Sequence, residues 1–430
     1  MSLSKTDIIA AYSAVAAVVR MLSGPLTILI VGALLTTEEM GFYYTFYSFV
    51  TMAMLFEVGV GYVLKQFYSH EIKLDANGNL AGSSQRSVNH IFRFSLQWYS
   101  LVVLVYISSI SVLGGFYFSD YVGEIEWQAP FYLLVCASGF RVFLNVYDSY
   151  LDGVQYQELV NAIRLLSTLL AAFSLWAAIY LDLGLYSVAI AQLVSGLVIV
   201  CIVLLRRAKV FSLLGSEFKE GYSFKAQFSE IFPLFGKTSL VWFFGYFFWN
   251  GFTLIAFRVY GAEFAGRIGL SVSIARGGYD VASSFLLNQR TILANQIANN
   301  QVDAALKVFR RYFLIAAVVL VSGYGGFLCF QYWLPDFYLF AKLLGPTELL
   351  TLFAFFLVTL VTGSLNNFVR AYKIEPFVSM SIYGAIFVPL AFWLGSQFSI
   401  DNIFLPSLLV LIVPVYVSVS TFYNKVYRHA

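Results

Sequence analysis

Charged side chains are scarce in this sequence: Asp, Glu, Lys and Arg make up 11% of its 430 residues. A soluble domain carries nearer about 25%, because a surface that water touches must be covered with groups that water solvates. The shortage excludes an ordinary soluble domain, and no segment outside the apolar runs is large enough to carry separate chemistry. Histidine is scarcer still. His70, His90 and His429 stand in links or at the tail, too scattered for a metal centre or a catalytic triad. Cys136, Cys201 and Cys329 form no CxxC pair and lie in apolar runs, which excludes a disulfide framework and predicts three buried thiols. There is no Walker loop, no HExxH and no nucleophile elbow, so a non-enzymatic chain without a bound cofactor or metal is expected. The N-terminal MSLSKTDIIAAYSAVAAVV lacks a small-residue cleavage site after a short apolar core and reads as the start of a retained helix.

Hydrophobic residues, in contrast, make up 60% of the chain, and its mean hydropathy is +0.78. A bilayer core of roughly 30 Å takes about 20 apolar residues per helical crossing. Stretches of that length recur at regular spacing. They do not alternate as the strands of an outer-membrane barrel do; Leu101–Leu113 and Leu405–Tyr416 are continuous. An all-α, polytopic membrane protein is therefore expected, with spans at 9–35, 41–64, 92–118, 129–151, 160–180, 184–205, 230–257, 266–288, 311–333, 346–370, 375–396 and 403–424. These twelve helices divide into two six-helix lobes, 1–205 and 230–430, joined by a polar cytoplasmic linker at 206–229. Basic residues crowd the links on one side, among them Lys65, Arg93, Arg206, Arg207, Arg310 and Arg370, whereas Arg258, Arg267 and Lys342 fall on the other. Under the positive-inside rule both termini are cytoplasmic. The basic links read as solvated loops near anionic headgroups and not as a nucleic-acid site.

A faint internal repeat accompanies the division. TTEEMGFYYTF and GAEFAGRIGLS each place an acid two or three residues before a glycine that opens a helix, about 225 residues apart. An offset of six helices makes the halves parallel repeats, one of the arrangements found in transporters.

Charged residues inside spans are expensive and face a bundle interior or a cavity. They are Arg20, Glu57, Arg141, Asp148, Arg164, Lys237, Arg276 and Asp280, with basic residues in the majority. Arg141, Asn145, Asp148 and Asp152 share one helix face, as do Ser273, Arg276, Asp280 and Ser284. Arg20 and Lys237 have no opposite charge within one turn, which makes them the leading cavity candidates; Arg141, Arg276 and Arg164 complete the cationic set. Arg276 and Asp280 are also spaced as a local packing pair, and Arg164 is placed to snorkel. Glu57, Asp148 and Asp280 are packing acids or couple transport to a proton or sodium gradient.

The segment Leu34–Gly61, with Glu38, Glu39, Gly41 and Phe42 and then Glu57, Val58 and Gly59, resembles the polysaccharide exporter and O-antigen flippase family of the multidrug, oligosaccharidyl-lipid and polysaccharide exporter superfamily. FPLFGKTSLVWFFGYFFWN looks like that family's seventh helix. The resemblance implies a monomeric flippase of the bacterial inner membrane. Its substrate would be an undecaprenyl-pyrophosphate-linked oligosaccharide used for O-antigen or lipopolysaccharide, held at the pyrophosphate by central cations. A polysaccharide polymerase and a chain-length regulator would be its partners, beside membrane lipids. Two alternatives remain: a multidrug or cation exporter of the same superfamily, which expects acids in the cavity, and a non-transporting scaffold for polysaccharide assembly.

Overall fold

The computed structural model of the chain describes residues 23–57, 59–72, 82–214, 221–372, 374–398 and 402–427. All regular structure among them is helical. Eight of the described helices are long and apolar enough to cross a bilayer, and nine if one bent pair counts as a single crossing. The chain is thus an all-α, multi-pass membrane protein. Leu104, Phe116, Leu205, Val318 and Phe398 lie exposed on the helix surfaces, an outer face that only lipid can cover.

The chain forms two compact units, Met1–Thr27 with Phe46–Phe243, and Ile28–Thr45 with Phe244–Ala430. The boundaries fall inside α1 (Ser23–Leu34), α2 (Thr37–Thr51) and α11 (Phe224–Tyr260). In the first unit, α3 (Ala53–Glu57) and α4 (Val60–Glu71) meet α5 (Gly82–Tyr117). The succession continues with α6 (Gln128–Phe143), α7 (Asn145–Gly153), α8 (Gln157–Tyr180), α9 (Tyr186–Leu205) and the short α10 (Arg207–Val210). α9 packs on both α6 and α8, and α7 packs on α4. Phe46, Phe49, Phe118 and Phe131 form an edge-to-face aromatic core.

In the second unit come α12 (Ala262–Leu287), α13 (Arg290–Ala298), α14 (Val302–Trp333), α15 (Pro346–Arg370), α16 (Val378–Phe398), α17 (Leu405–Val410) and α18 (Ile412–Tyr427). α12 packs on α14 and α15, and α15 on α18. Phe252, Phe355, Phe392 and Phe404 cluster at ring distances of 4.9–5.4 Å. Of the eight crossing helices, Gln128–Gly153 and Pro346–Arg370 bury the largest share of their most apolar 18 residues against protein, 56% each.

Two breaks in the helices have sequence causes. α3 and α4 meet at a 47° bend where Gly59 takes φ 80°, a left-handed conformation that costs glycine nothing. α17 gives way to α18 at Leu411, three residues before Pro414, whose ring would collide with a carbonyl one turn earlier.

The helices also run further than hydropathy alone marks. α14 starts nine residues before the expected 311, because Ala305, Leu306 and Phe309 bury one face of an otherwise charged turn. The 206–229 link contains α10 and the first turns of α11, with Phe224 stacked on Phe94 at 5.1 Å and Phe228 on Trp98 at 5.9 Å. The cysteines are a correction: Cys136, Cys201 and Cys329 are exposed on their helices. In a membrane protein an apolar run has two apolar surroundings, protein and lipid, and these thiols face outward.

The repeat motif proves to be a contact. Thr36 caps α2 reciprocally: its backbone N–H and hydroxyl donate to Glu39 Oε2 at 2.8 and 2.9 Å, and its hydroxyl accepts from the Glu39 N–H at 3.2 Å. Gly41, on the next turn, lies directly against the carbonyl of Ala262, while Gly266 lies against the carbonyl of Thr37. Thr37 and Ala262 stand at the same 225-residue offset as Gly41 and Gly266. Each glycine therefore touches the repeat mate of the other's partner, the reciprocity of a local two-fold.

Candidate functional site

In the first unit the polar residues form two neighbouring clusters along α7. Glu57 ends α3 at the Gly59 bend. Its Oε1 accepts from the Tyr99 hydroxyl of α5 at 2.6 Å, and its Oε2 accepts from Asn145 Nδ2 of α7 at 3.2 Å. The Asn145 carbonyl oxygen accepts from Arg141 Nη1 at 2.9 Å. An amide suits this position because it offers a donor to the carboxylate and an acceptor to the guanidinium. Space for the cluster comes from Gly61, where a β-carbon would stand 2.8 Å from Glu57 Oε1, 2.9 Å from the Tyr99 oxygen and 3.1 Å from the Ser149 oxygen.

Along α7, Asp148 and Asp152 draw in cations from two neighbouring helices. Lys65 Nζ of α4 lies 2.8 Å from Asp148 Oδ2 and 3.0 Å from Asp152 Oδ2. Arg164 of α8 donates through Nε and Nη2 to Asp148 at 3.1–3.3 Å and through Nη2 to Asp152 Oδ2 at 2.9 Å. Gln157 Nε2 adds a bond to Asp152 Oδ1 at 2.7 Å. Three acids and three bases thus cancel across the two clusters. Of these three acids, Glu57 takes its hydrogen bonds from the neutral Tyr99 and Asn145, whereas Asp148 and Asp152 are both bonded to cations.

The second unit holds a separate cluster. Arg276 Nε stands 4.0 Å from Asp280 Oδ2, with the guanidinium 4.9 Å over the Trp249 ring. Trp249, Tyr279 and Phe356 lie within 5.5–6.4 Å of one another. One turn on, a cavity of about 240 Å³ is lined by Tyr279, Asp280, Ser283, Arg290, Asn367 and Arg370 among others. Arg290 Nη2 donates to Asn367 Oδ1 at 2.6 Å, and Arg370 makes a two-pronged bond to Glu375 at 2.6 and 3.0 Å. Burial, with the Arg370 guanidinium close by, pulls Arg290 below the ordinary arginine value, the response of a cation short of counter-charge.

The residues singled out by sequence separate accordingly. Arg141, Glu57, Asp148 and Arg164 come together in the first unit, and Arg276 and Asp280 in the second. Arg164 is bound to Asp148 and Asp152 and does not snorkel to headgroups. Asp148 pairs with Lys65 and Arg164, not with Arg141. Arg20 lies outside the described residues; Lys237 belongs to α11, its side chain outside what is described. Sequence reasoning missed Tyr99, one of 29 tyrosines with nothing in the text to mark it, and Lys65, assigned to a link.

No protein-family model matches this sequence, and no curated protein does. Solved structures do. An inward-facing multidrug resistance MATE family transporter of the MOP superfamily is similar over 96% of this chain and 94% of its own, with a TM-score of 0.68 and 12% identity. An outward-facing conformation of a MATE family transporter is similar over 98% and 95%, with a TM-score of 0.62 and 12% identity. A MOP superfamily transporter from Pyrococcus furiosus, for which reverse polarity of the binding pocket suggests a different function, is similar over 97% and 94%, with a TM-score of 0.58 and 13% identity. At such identities the likeness is one of fold, shared with solved transporter structures. These matches correct the polysaccharide exporter and O-antigen flippase assignment, since the transporters matched are of the multidrug MATE kind. Lipid-linked oligosaccharide, polysaccharide polymerase and chain-length regulator fall away as substrate and partners with it.

Proposed function

We propose that the chain is a multidrug or cation exporter, a twelve-helix protein of the bacterial inner membrane that works by alternating access of two six-helix lobes. The fold likeness supports a transporter, and Glu57 carries the choice of substrate. A carboxylate inside a helix bundle, bonded to a tyrosine and an asparagine and not to a cation, has a negative charge that an incoming cation can meet. The same charge can instead be met by a proton or a sodium ion. Exchange of one for the other at Glu57 couples substrate efflux to the ion gradient, and the bend at Gly59 lets α3 and α4 move about that point.

The test is ethidium efflux from proteoliposomes under an imposed proton or sodium gradient. Glu57→Gln keeps the side-chain shape and removes the charge. It should lower gradient-driven efflux about tenfold or more, equivalent to at least about 1.4 kcal/mol in the driven step, while folded yield stays near normal. Unchanged efflux by Glu57→Gln under both gradients would exclude Glu57 as the coupling group.

Orientation is checked separately. With the three exposed native cysteines replaced, single cysteines in 65–91 or 206–229 should resist an impermeant thiol reagent in intact cells. One beside Asp182 or Asp401 should label. Labelling of both basic links from outside would reverse the topology.

A further inference from the structure

The cavity of the second unit carries charges that efflux coupled through Glu57 leaves unused. Its volume of about 240 Å³ falls below the range of about 300–1,000 Å³ that accepts drug-sized ligands. A large amphiphile does not fill it; a molecule a few bonds long does. The walls present an acid and a base that are not bonded to each other. Asp280 has Arg276 at 4.0 Å, too long for a hydrogen bond, and Arg276 is drawn over the Trp249 ring. Arg290 gives one of its five donors to the neutral Asn367 oxygen. Arg370 cannot serve as a free anion partner, since Glu375 already occupies its fork. Asp280 of α12 and Arg290, which opens α13, line the same cavity, and no ion pair joins them among the described residues. A ligand that spans the two can use both charges. Tyr279 lines the cavity beside Asp280, and an aromatic ring favours a nearby cation.

We propose that this cavity binds a small zwitterion with its charges at opposite ends, the ammonium at Asp280 and Tyr279 and the carboxylate at Arg290. The binding stands on the cavity; that the zwitterion is then carried across the membrane rests on the exporter function proposed above.

Equilibrium binding to the purified protein in nanodiscs, with three probes, tests it. Glycylglycine carries both charges, glycylglycinamide only the ammonium, and N-acetylglycylglycine only the carboxylate. Glycylglycine should bind at least about tenfold more tightly than either capped form, a difference of about 1.4 kcal/mol. Arg290→Gln should weaken glycylglycine to the level of glycylglycinamide and leave glycylglycinamide unchanged. Asp280→Asn should do the converse with N-acetylglycylglycine. Equal affinity for the three probes, no measurable binding of any, or a variant that weakens all three alike would overturn the proposal. Ethidium efflux lost with dipeptide binding intact would sink the exporter function alone; the reverse result would sink the zwitterion site alone.

Discussion

Gly41→Ala should leave little folded protein, at a cost of about 3 kcal/mol or more. The added methyl would fall within the carbonyl group of Ala262, and a backbone carbonyl cannot rotate out of the way as a side chain does. Relief requires the first turns of α2 and α12 to separate. Overpacking in a tight core costs about 1–3 kcal/mol and occasionally more, and a clash with backbone belongs at the upper end. Gly266→Ala meets the Thr37 carbonyl in the same way and should cost as much. Because both changes open the same contact, the double variant should lose clearly less than the sum of the two. Gly325→Ala on α14 is the control. Nothing lies within 4 Å of its β-carbon position, and alanine in a helix is favoured over glycine by up to about 1 kcal/mol. Thermal unfolding in detergent compares the four proteins. A Gly41→Ala protein as stable as Gly325→Ala would show that the two helix starts do not pack as described.

The same pair of glycines shows how far the sequence could be read. A matching acid and glycine 225 residues apart was visible. What the acid does was not. TTEE reads as an acidic turn, yet Thr36 and Glu39 are a capping box, a local device that closes the exposed N–H groups of α2. The long apolar helices were legible because a bilayer sets their length and nothing in water competes with that requirement. Burial was less legible. The cysteines show why: hydropathy separates water from everything else, and cannot separate lipid from protein.

Charge pairing was harder still. Asp148 and Asp152 share a face with Arg141, which periodicity reveals, but their partners Lys65 and Arg164 come from other helices. Pairing at a separation of 83 residues depends on how α4 sits on α7, and no local pattern encodes it. Counting intramembrane cations could not show that Arg164, with Lys65, is matched by two aspartates. The cation missing from that count was Lys65, placed in a link because α4 continues past the point where hydropathy falls. Its ammonium pairs with the two aspartates.

Asp148→Ala tests whether this network holds α4, α7 and α8 together. The aspartate accepts from both cations, and its loss leaves Lys65 and Arg164 facing one another across Asp152 alone. Removing one member of a fully buried ion pair costs about 3–5 kcal/mol. These side chains are 19–38% exposed, so water screens part of the imbalance and about 2 kcal/mol is the expected loss. Glu263→Ala is the comparison. It breaks the exposed pair with Arg267 at 3.1 Å and should cost no more than about 1 kcal/mol, since such pairs are worth little and the remainder is the charge at a helix start. Salt should separate the two further. Raising it from 0.1 to 1 M shortens the screening length from about 10 to 3 Å, which should erase the Glu263 effect and leave most of the Asp148 effect, because the aspartate lies between two cations and is partly shielded from solvent. Replacing Lys65, Asp148, Asp152 and Arg164 together by Met, Leu, Leu and Met removes the charges without stranding one, and should recover most of the stability that Asp148→Ala loses. An Asp148→Ala protein no less stable than Glu263→Ala would mean that the three helices are held by packing and that the ion pairs only follow, whereas a fourfold variant less stable than Asp148→Ala would mean that the loss does not come from a stranded charge.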